Sequence, residues 1–336
     1  MIRKYPAPHI HKEMNVGLIY PRVLIALLPC AAAAVYYYGI RALLLLMTAM
    51  ASYVISDYLF IQFVRHETYV WDASGLVSGA ILALILPPTV PILYLVVGVF
   101  FASVVVKQCF GGVGCNIFNP ALAGRAFLSI AFPAIDSAYV QPIVSRWSPG
   151  TLLYGPIDMV SSATPWISQK ERVFELLSGR YPGTVGTTCA AAIIIGCIYL
   201  AVHGILRPQA PLAYLAVLCA GYWVISGTQA SLFGMFYWIF TGGILFAAVF
   251  VMGDYSTTPT TNYGRILFGA GAAVLTLLIR NMGNPSYAVG FSVLAMNAAV
   301  PILDLYIRPK IYGMPSWFSG KKNKYGKITE REGEQV

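Results

Sequence analysis

Charge is scarce in this sequence. Of its 336 residues 13 are acidic and 22 basic, so charged side chains make up 10% of the chain. Soluble domains carry about a quarter. With 58% hydrophobic residues the chain has too little polar surface to face water, and its solvent is lipid. Histidine is scarce as well: His9, His11, His66 and His203 are scattered and form no ligand set. The six cysteines include no CxxC pair. Cys109 and Cys115 flank FGGVG at a spacing a metal would accept, yet most cysteines lie in apolar runs where the thiol acts as a small hydrophobe, and no metal site is expected. GxSxG, HExxH and Walker loops are missing, so no catalytic residue is named. The net charge of +9 gathers at the ends and in short loops rather than in a stripe interleaved with stacking aromatics, which argues against nucleic-acid binding. Residues 1–16 have no apolar core of the kind a cleavable leader needs.

What the chain has instead is apolar runs. Ten candidate spans meet the hydrophobic criterion once short and broken ones are allowed. They are Pro21 to Tyr38, Ala42 to Phe63, Ser74 to Leu86, Val90 to Val106, Ala121 to Phe132, Thr187 to Leu206, Pro211 to Ile225, Leu232 to Met252, Ile266 to Ile279 and Ser286 to Ile307. Pro87-Pro88 ends the third, because proline lacks the donor and clashes with the preceding turn. The expected fold is an all-α polytopic membrane protein with short or broken helices. Its expected divisions are a terminus (1–20), a first five-helix repeat (21–132), a polar loop (133–184), a second five-helix repeat (185–307) and a polar tail (308–336). A loop as long as 133–184 is usually functional or a linker.

Two features order these spans. Asn119-Pro120 opens the fifth and Asn284-Pro285 the tenth, each after a glycine-bearing loop. Five spans per half is an odd number, so the halves are expected to be inverted repeats, with a central site where helices are interrupted. Arg3, Lys4, Lys12, Arg65, Lys107, Arg207, Arg265, Arg308, Lys310 and the Lys321 to Lys327 cluster then fall on one side with both termini, while Arg41 and Arg280 fall on the other. Basic residues mark the cytoplasmic face, so both termini are expected there and the 133–184 loop outside.

Candidate binding residues come from the polar interruptions. Asn119 reads most simply as a helix N-cap, with ligand contact as the alternative. Asp72 reads as a cap or dipole partner. SGLVSG, FGGVG, GTVGTT and TGG place small and hydroxyl residues at span ends. Close helix approach accounts for most of them. Backbone N–H groups at helix starts, as in Gly186, Thr187 and Thr188, could also hold a phosphate or a flavin oxygen. The hydroxyl-rich GDYSTTPTTNYG, Gly253 to Gly264, is either a polar turn or part of a second cofactor site.

Together these blocks resemble a known family. DASGLVSGAILALILPPTVP (Asp72 to Pro91), KQCFGGVGCNIFNPALAGRAF (Lys107 to Phe127), DMVSSATP (Asp158 to Pro165), GDYSTTPTTNYGR (Gly253 to Arg265) and MNAAVPILD (Met296 to Asp304) are similar in content and order to D subunits of the Rnf electron-transport complex. They are also similar to the related B subunits of the sodium-translocating NADH:quinone reductase, which carry a longer N-terminal extension. The resemblance implies an integral-membrane subunit of an ion-translocating ferredoxin:NAD oxidoreductase, not catalytic for the whole reaction alone. It implies FMN joined through a phosphoester to Thr164, with Asp158, Ser161 and Ala163 matching the attachment motif and Ser162 standing where glycine is usual. The segment has no base beside Thr164, so an external flavin transferase is implied. Further implications are a second, noncovalent flavin (riboflavin or FMN), the A, B, C, E and G subunits as partners, and ferredoxin and NAD reached through them. The rival class, on topology alone, is a transporter or channel without a redox group.

Overall fold

The computed structural model describes residues 16–137, 139–140, 142, 152–153, 169–282 and 285–307. Helix is what apolar runs in lipid must form, because the hydrocarbon offers no partner for backbone N–H and C=O groups. Helix α1 covers Val16–Tyr38 and carries Pro21 and Pro29 inside it. α2 covers Ile40–Phe60 and ends in a π-helical turn, Ile61–Arg65. The short α3, Ser74–Leu84, stops before Pro87-Pro88 as expected. α4, Ile92–Phe100, widens into a π-helical stretch over Phe101–Gln108, and α5 covers Pro120–Ala131.

The 133–184 region is not featureless. Tyr139–Val140 pairs antiparallel with Leu152–Leu153, and α6 covers Gln169–Ser178. The second half follows with α7 (Ala190–Val202), α8 (Gln209–Ser226), α9 (Leu232–Phe240), α10 (Ile244–Phe246, continuing as a π-helical turn over Ala247–Val251), α11 (Asn262–Met282) and α12 (Pro285–Tyr306). Two sequence expectations are corrected here. The sixth span begins at Ala190, so Gly186, Thr187 and Thr188 form a turn before it. The eighth is not one rod: α9 and the Ile244–Val251 helix meet at 64°.

Among the described residues, five helices are long and apolar enough to cross a membrane, and the bent pair makes a sixth. Ser74–Leu84, Ile92–Gln108, Pro120–Ala131 and Ala190–Val202 are shorter apolar helices. Large apolar side chains such as Leu43, Met47, Ile55, Ile195, Val224 and Leu278 point outward, as they do when lipid surrounds a bundle. Inside, close backbone approach replaces bulky side chains. A Cβ at Gly269 would collide with the Ala210 carbonyl, which is how α11 lies against α8, and one at Gly196 would meet the Ala26 carbonyl between α7 and α1.

Candidate functional site

Polar side chains collect at the two ends of the bundle. The first collection is built on α2, α3 and α4. Asp57 and Lys107, 2% and 3% exposed, form an ion pair of 2.6 Å. Ser103 Oγ (2.6 Å) and Gln108 Nε2 (2.9 Å) donate to the other Asp57 oxygen, and Lys107 Nζ also donates to Ser74 Oγ at 2.8 Å. Asp72 accepts from the Ser74 backbone N–H at 2.8 Å, one residue ahead of the N-cap position, which is Ala73, and lies 3.8 Å from Lys107 Nζ. Lys107 is therefore not the water-facing residue that closes its span. The widened turn at 101–108 carries it inward, where its charge is matched. Losing one partner of such a buried pair costs about 3–5 kcal/mol.

Next to this lies the Asn119 group. Asn119 Oδ1 accepts from the backbone N–H of Ala121 (3.1 Å) and Leu122 (3.3 Å), so it is an N-cap with Pro120 at the first helical position. Its amide also reaches Asp254 at 3.3 Å. Ser256 and Thr257 hydroxyls donate to the same carboxylate. With its amide oriented by its neighbours, Asn297 on α12 donates to the Thr257 carbonyl and accepts from the Asn119 N–H, both at 3.1 Å. Withdrawal from water pushes the Asp254 carboxyl above its ordinary range, against the opposing pull of these hydrogen bonds. Most remaining hydroxyls of the 253–264 loop are engaged locally: Thr258 bonds the Asp254 carbonyl, and Thr260 bonds Asp304.

Between these groups opens a cavity walled by α1, α3, α7 and the Val249–Ser256 segment. Tyr20, Ser74, Lys107, Asn116, Asn119, Asp254 and Ser256 are among its polar lining, and the rest is largely aliphatic and aromatic. Apolar walls with a few convergent polar groups are the usual form of a small-molecule site. Sequence reasoning missed Asp57 and Lys107 as a centre. The available signal was Asp57, a carboxylate inside an apolar run; Lys107 directly follows another.

The second collection lies at the opposite end, around the break between α9 and α10. Thr241 is fully buried, and Gly242 and Gly243 take positive φ values of 68° and 75°, a conformation glycine reaches without a Cβ penalty. The GTVGTT turn packs here. A Cβ on Gly243 would lie 3.6 Å from the Thr187 methyl, and Tyr181 donates its hydroxyl to the Phe240 carbonyl at 2.8 Å. Burial pushes the Tyr181 phenol far above its ordinary range, so it stays a neutral donor. Arg280 completes the group, donating to the Trp238 carbonyl (3.1 Å) and Thr241 Oγ1 (3.2 Å) while its guanidinium lies 4.2 Å from the Trp238 ring centroid.

The expected binding residues thus divide. Thr187 and Thr188 are buried beside the break, with Thr187 bonded to the Thr184 hydroxyl. Gly186 plays a structural part. Its N–H donates to the Leu84 carbonyl at 2.8 Å, next to a Val185 bond to Leu86 at 2.9 Å. Both groups tie off the end of α3, and Gly186 lies too close to Leu84 for any side chain. Asn119 is at the other end of the bundle and does not join this turn. Asp158, Ser161, Ser162, Ala163 and Thr164, like Asn284, lie outside the described residues.

Comparison with known proteins adds to this geometry. Residues 4–313 match the family described as NQR2, RnfD, RnfE. The chain is 33% identical over 92% of its length to the D subunit of the Na(+)-translocating ferredoxin:NAD(+) oxidoreductase complex of Acetobacterium woodii, covering 94% of that protein. It is 30% identical over 91% of its length to the D subunit of the proton-translocating ferredoxin:NAD(+) oxidoreductase complex of Clostridium ljungdahlii, covering 95% of it. The D subunit of an ion-translocating oxidoreductase complex of Halorhodospira halophila is 33% identical, with 91% of this chain and 94% of the relative covered.

Proposed function

The chain belongs to the NQR2, RnfD, RnfE family, and from that premise we propose that it is the D-type membrane subunit of an ion-translocating ferredoxin:NAD oxidoreductase, carrying electrons through FMN esterified to Thr164. The observation that carries the electron-relay reading is the docking of the loop's return limb. Tyr181 and Thr187, downstream of Thr164, are built into the helix break, so the chain that follows the attachment motif returns to the bundle at an interrupted helix. The flavin supplies one- and two-electron chemistry; the protein supplies position, hydrogen bonds and a low dielectric. Asp158, Ser161, Ser162 and Ala163 form the segment read by an external flavin transferase. The A, B, C, E and G partners supply contact with ferredoxin and NAD. A B-type quinone-reductase subunit is the nearer alternative.

The cavity at the other end suits a second, noncovalent flavin. Its polar lining near Asn119, Asn116 and Ser256 would hold the ring's hydrogen-bonding edge against aliphatic walls. Thr187 and Thr188, with the break, serve the covalent group, and Gly186 supports them.

Ten crossing or re-entrant segments in two inverted halves form the proposed architecture, with the division at the 133–184 loop. Support comes from the packing. α1 packs with α7 and α5 with α12 between halves, while α2 packs with α4 and α8 with α11 within them, the pattern a pseudo-twofold axis gives. We assign the chain to the cytoplasmic membrane, both termini inside and the Thr164 loop outside. Relatives of similar identity are named for sodium and for protons, so overall similarity does not select the ion.

The test is ultraviolet-excited flavin fluorescence of the chain in a denaturing gel, expressed with the transferase, beside Thr164→Ala. A bright native band and a dark variant are expected. Two bright bands would move the attachment elsewhere. Two dark bands, with the transferase active on another substrate, would favour a carrier without a redox group, which the 64° break also fits.

A further inference from the structure

Arg280 is not explained by packing alone. It lies in the last turn of α11 and is 8% exposed. Two of its nitrogens are used, by the Trp238 carbonyl and the Thr241 hydroxyl. Among the described residues its buried Nε has no hydrogen-bond partner and no carboxylate pairs with it. A guanidinium does not neutralise itself by losing a proton. Buried charges are ordinarily paired, as Lys107 is at the other end of the molecule. A carbonyl, a hydroxyl and the Trp238 ring offer partial negative charge, not a counter-ion.

The break adds positive potential at the same spot. Thr241 holds the guanidinium where the Ile244–Val251 helix begins. That start has no side-chain cap: Gly243 precedes it in the left-handed conformation. The first N–H groups of a helix lack intrahelical partners and carry the positive end of its dipole. An uncompensated cation and an uncapped helix start therefore converge on one backbone segment bare of side chains, which is how anion sites are built.

We propose that Arg280 and the Thr241–Gly243 break form the counter-charge for the reduced flavin ring, so that this site sets the flavin's potential. The inference rests on the attachment of flavin at Thr164. Thr164 stands five residues before Gln169, where α6 begins, a span of at most about 17 Å of extended chain. α6 packs on α9, whose last residue accepts the Tyr181 hydroxyl. One electron added to the oxidised ring leaves it one unit more negative unless a proton follows. A fixed cation in a low-dielectric site favours that added charge over the neutral ring, and the potential rises. The flavin's phosphate diester is a second source of the same anionic chemistry. It carries the same charge before and after reduction, so Arg280 acting on it would leave the potential alone.

The experiment is an electrochemical titration of the covalent flavin in the purified complex, with the electrode supplying the electron. Native protein is compared with Arg280→Gln, Arg280→Lys and Thr241→Val, and each chain's in-gel fluorescence is recorded. Arg280→Gln should disfavour one-electron reduction about tenfold, a fall of about 59 mV. Thr241→Val, which releases the guanidinium without removing it, should shift the same way by less. Arg280→Lys should stay within about threefold of native, because the charge remains. A fluorescent Arg280→Gln chain with the native potential overturns the inference and leaves the attachment intact. Should Arg280→Gln fail to assemble, an unchanged potential in Thr241→Val overturns it. A native chain without fluorescence removes the attachment reading and the inference with it.

Discussion

Lys107 and Asp57 occupy positions where neither charge could stand alone. Each is nearly fully buried, and each satisfies the other through a 2.6 Å contact. Asp57→Asn should leave a buried ammonium short of its counter-charge and lower the apparent melting temperature in detergent by several degrees. Lys107→Met should do the same from the opposite side. The pair Asp57→Asn with Lys107→Met should recover most of the loss, because the cost lies in the unpaired charge rather than in the missing bridge. Equal losses in the double and single variants would show that the bridge itself stabilises the end of α4. Asp254 gives a second test. Its carboxyl is raised above its ordinary range, first by burial, so between the unfolded and the folded value the folded state holds a proton that the unfolded chain has already released. The stability this contributes is complete below about pH 4 and fades as pH rises through the folded value. Asp254→Asn should therefore flatten the dependence of melting temperature on pH above 4, with the largest gain at the alkaline end; a parallel curve would refute it.

The helices depend on close approach at a few glycines. Gly269→Ala would place a methyl inside the Ala210 carbonyl, and nothing in a backbone contact can rotate away. The expected cost is about 1–3 kcal/mol, as for other overpacked interiors, read as lower yield and melting temperature with α8 and α11 pushed apart. Ala at the exposed Gly17, which meets nothing, is the control. The same elements indicate what the sequence could convey. Hydropathy locates the apolar runs, and the proline pair after α3 and the Asn-Pro start of α5 mark their ends, because those signals are local. The 64° bend at Thr241–Gly243 is hidden inside a run that is apolar throughout, although TGG stands out within it. Helical α6 is hidden by its polar sequence, which packing against α9 stabilises. Lys107 reads as a loop base because the widened turn that carries it inward has no sequence mark of its own. Thr187 reads as the first residue of a helix, but Gly186 commits its N–H to Leu84, and that contact joins residues 102 positions apart.

At the scale of the molecule, asymmetry of charge decides orientation. Arg65, Lys107, Arg207 and Arg265 lie at the end that carries Asn119, and Arg41 and Arg280 at the other. Several of these bases are bound to protein rather than water: Arg65 to the Gly111 and Gln108 carbonyls, Arg265 to Pro259 and Thr260, Arg41 to Pro88 and Val90. Their structural roles do not cancel their effect on insertion, which acts on short loops before those contacts exist. The native thiols provide the test. Cys109 and Cys115 are exposed in the loop before α5, and Arg180 is exposed at the opposite end. A membrane-impermeant thiol reagent should label Arg180→Cys in intact cells and leave Cys115 untouched. In inside-out vesicles the pattern should reverse. The reversal matters because a partner protein covering one face would abolish labelling there without transferring it to the other. Labelling of Cys115 from outside would invert the bundle. The Thr164 loop would then face the cytoplasm, beyond the reach of a transferase acting outside, and Arg280 would lie on the side that charge asymmetry disfavours.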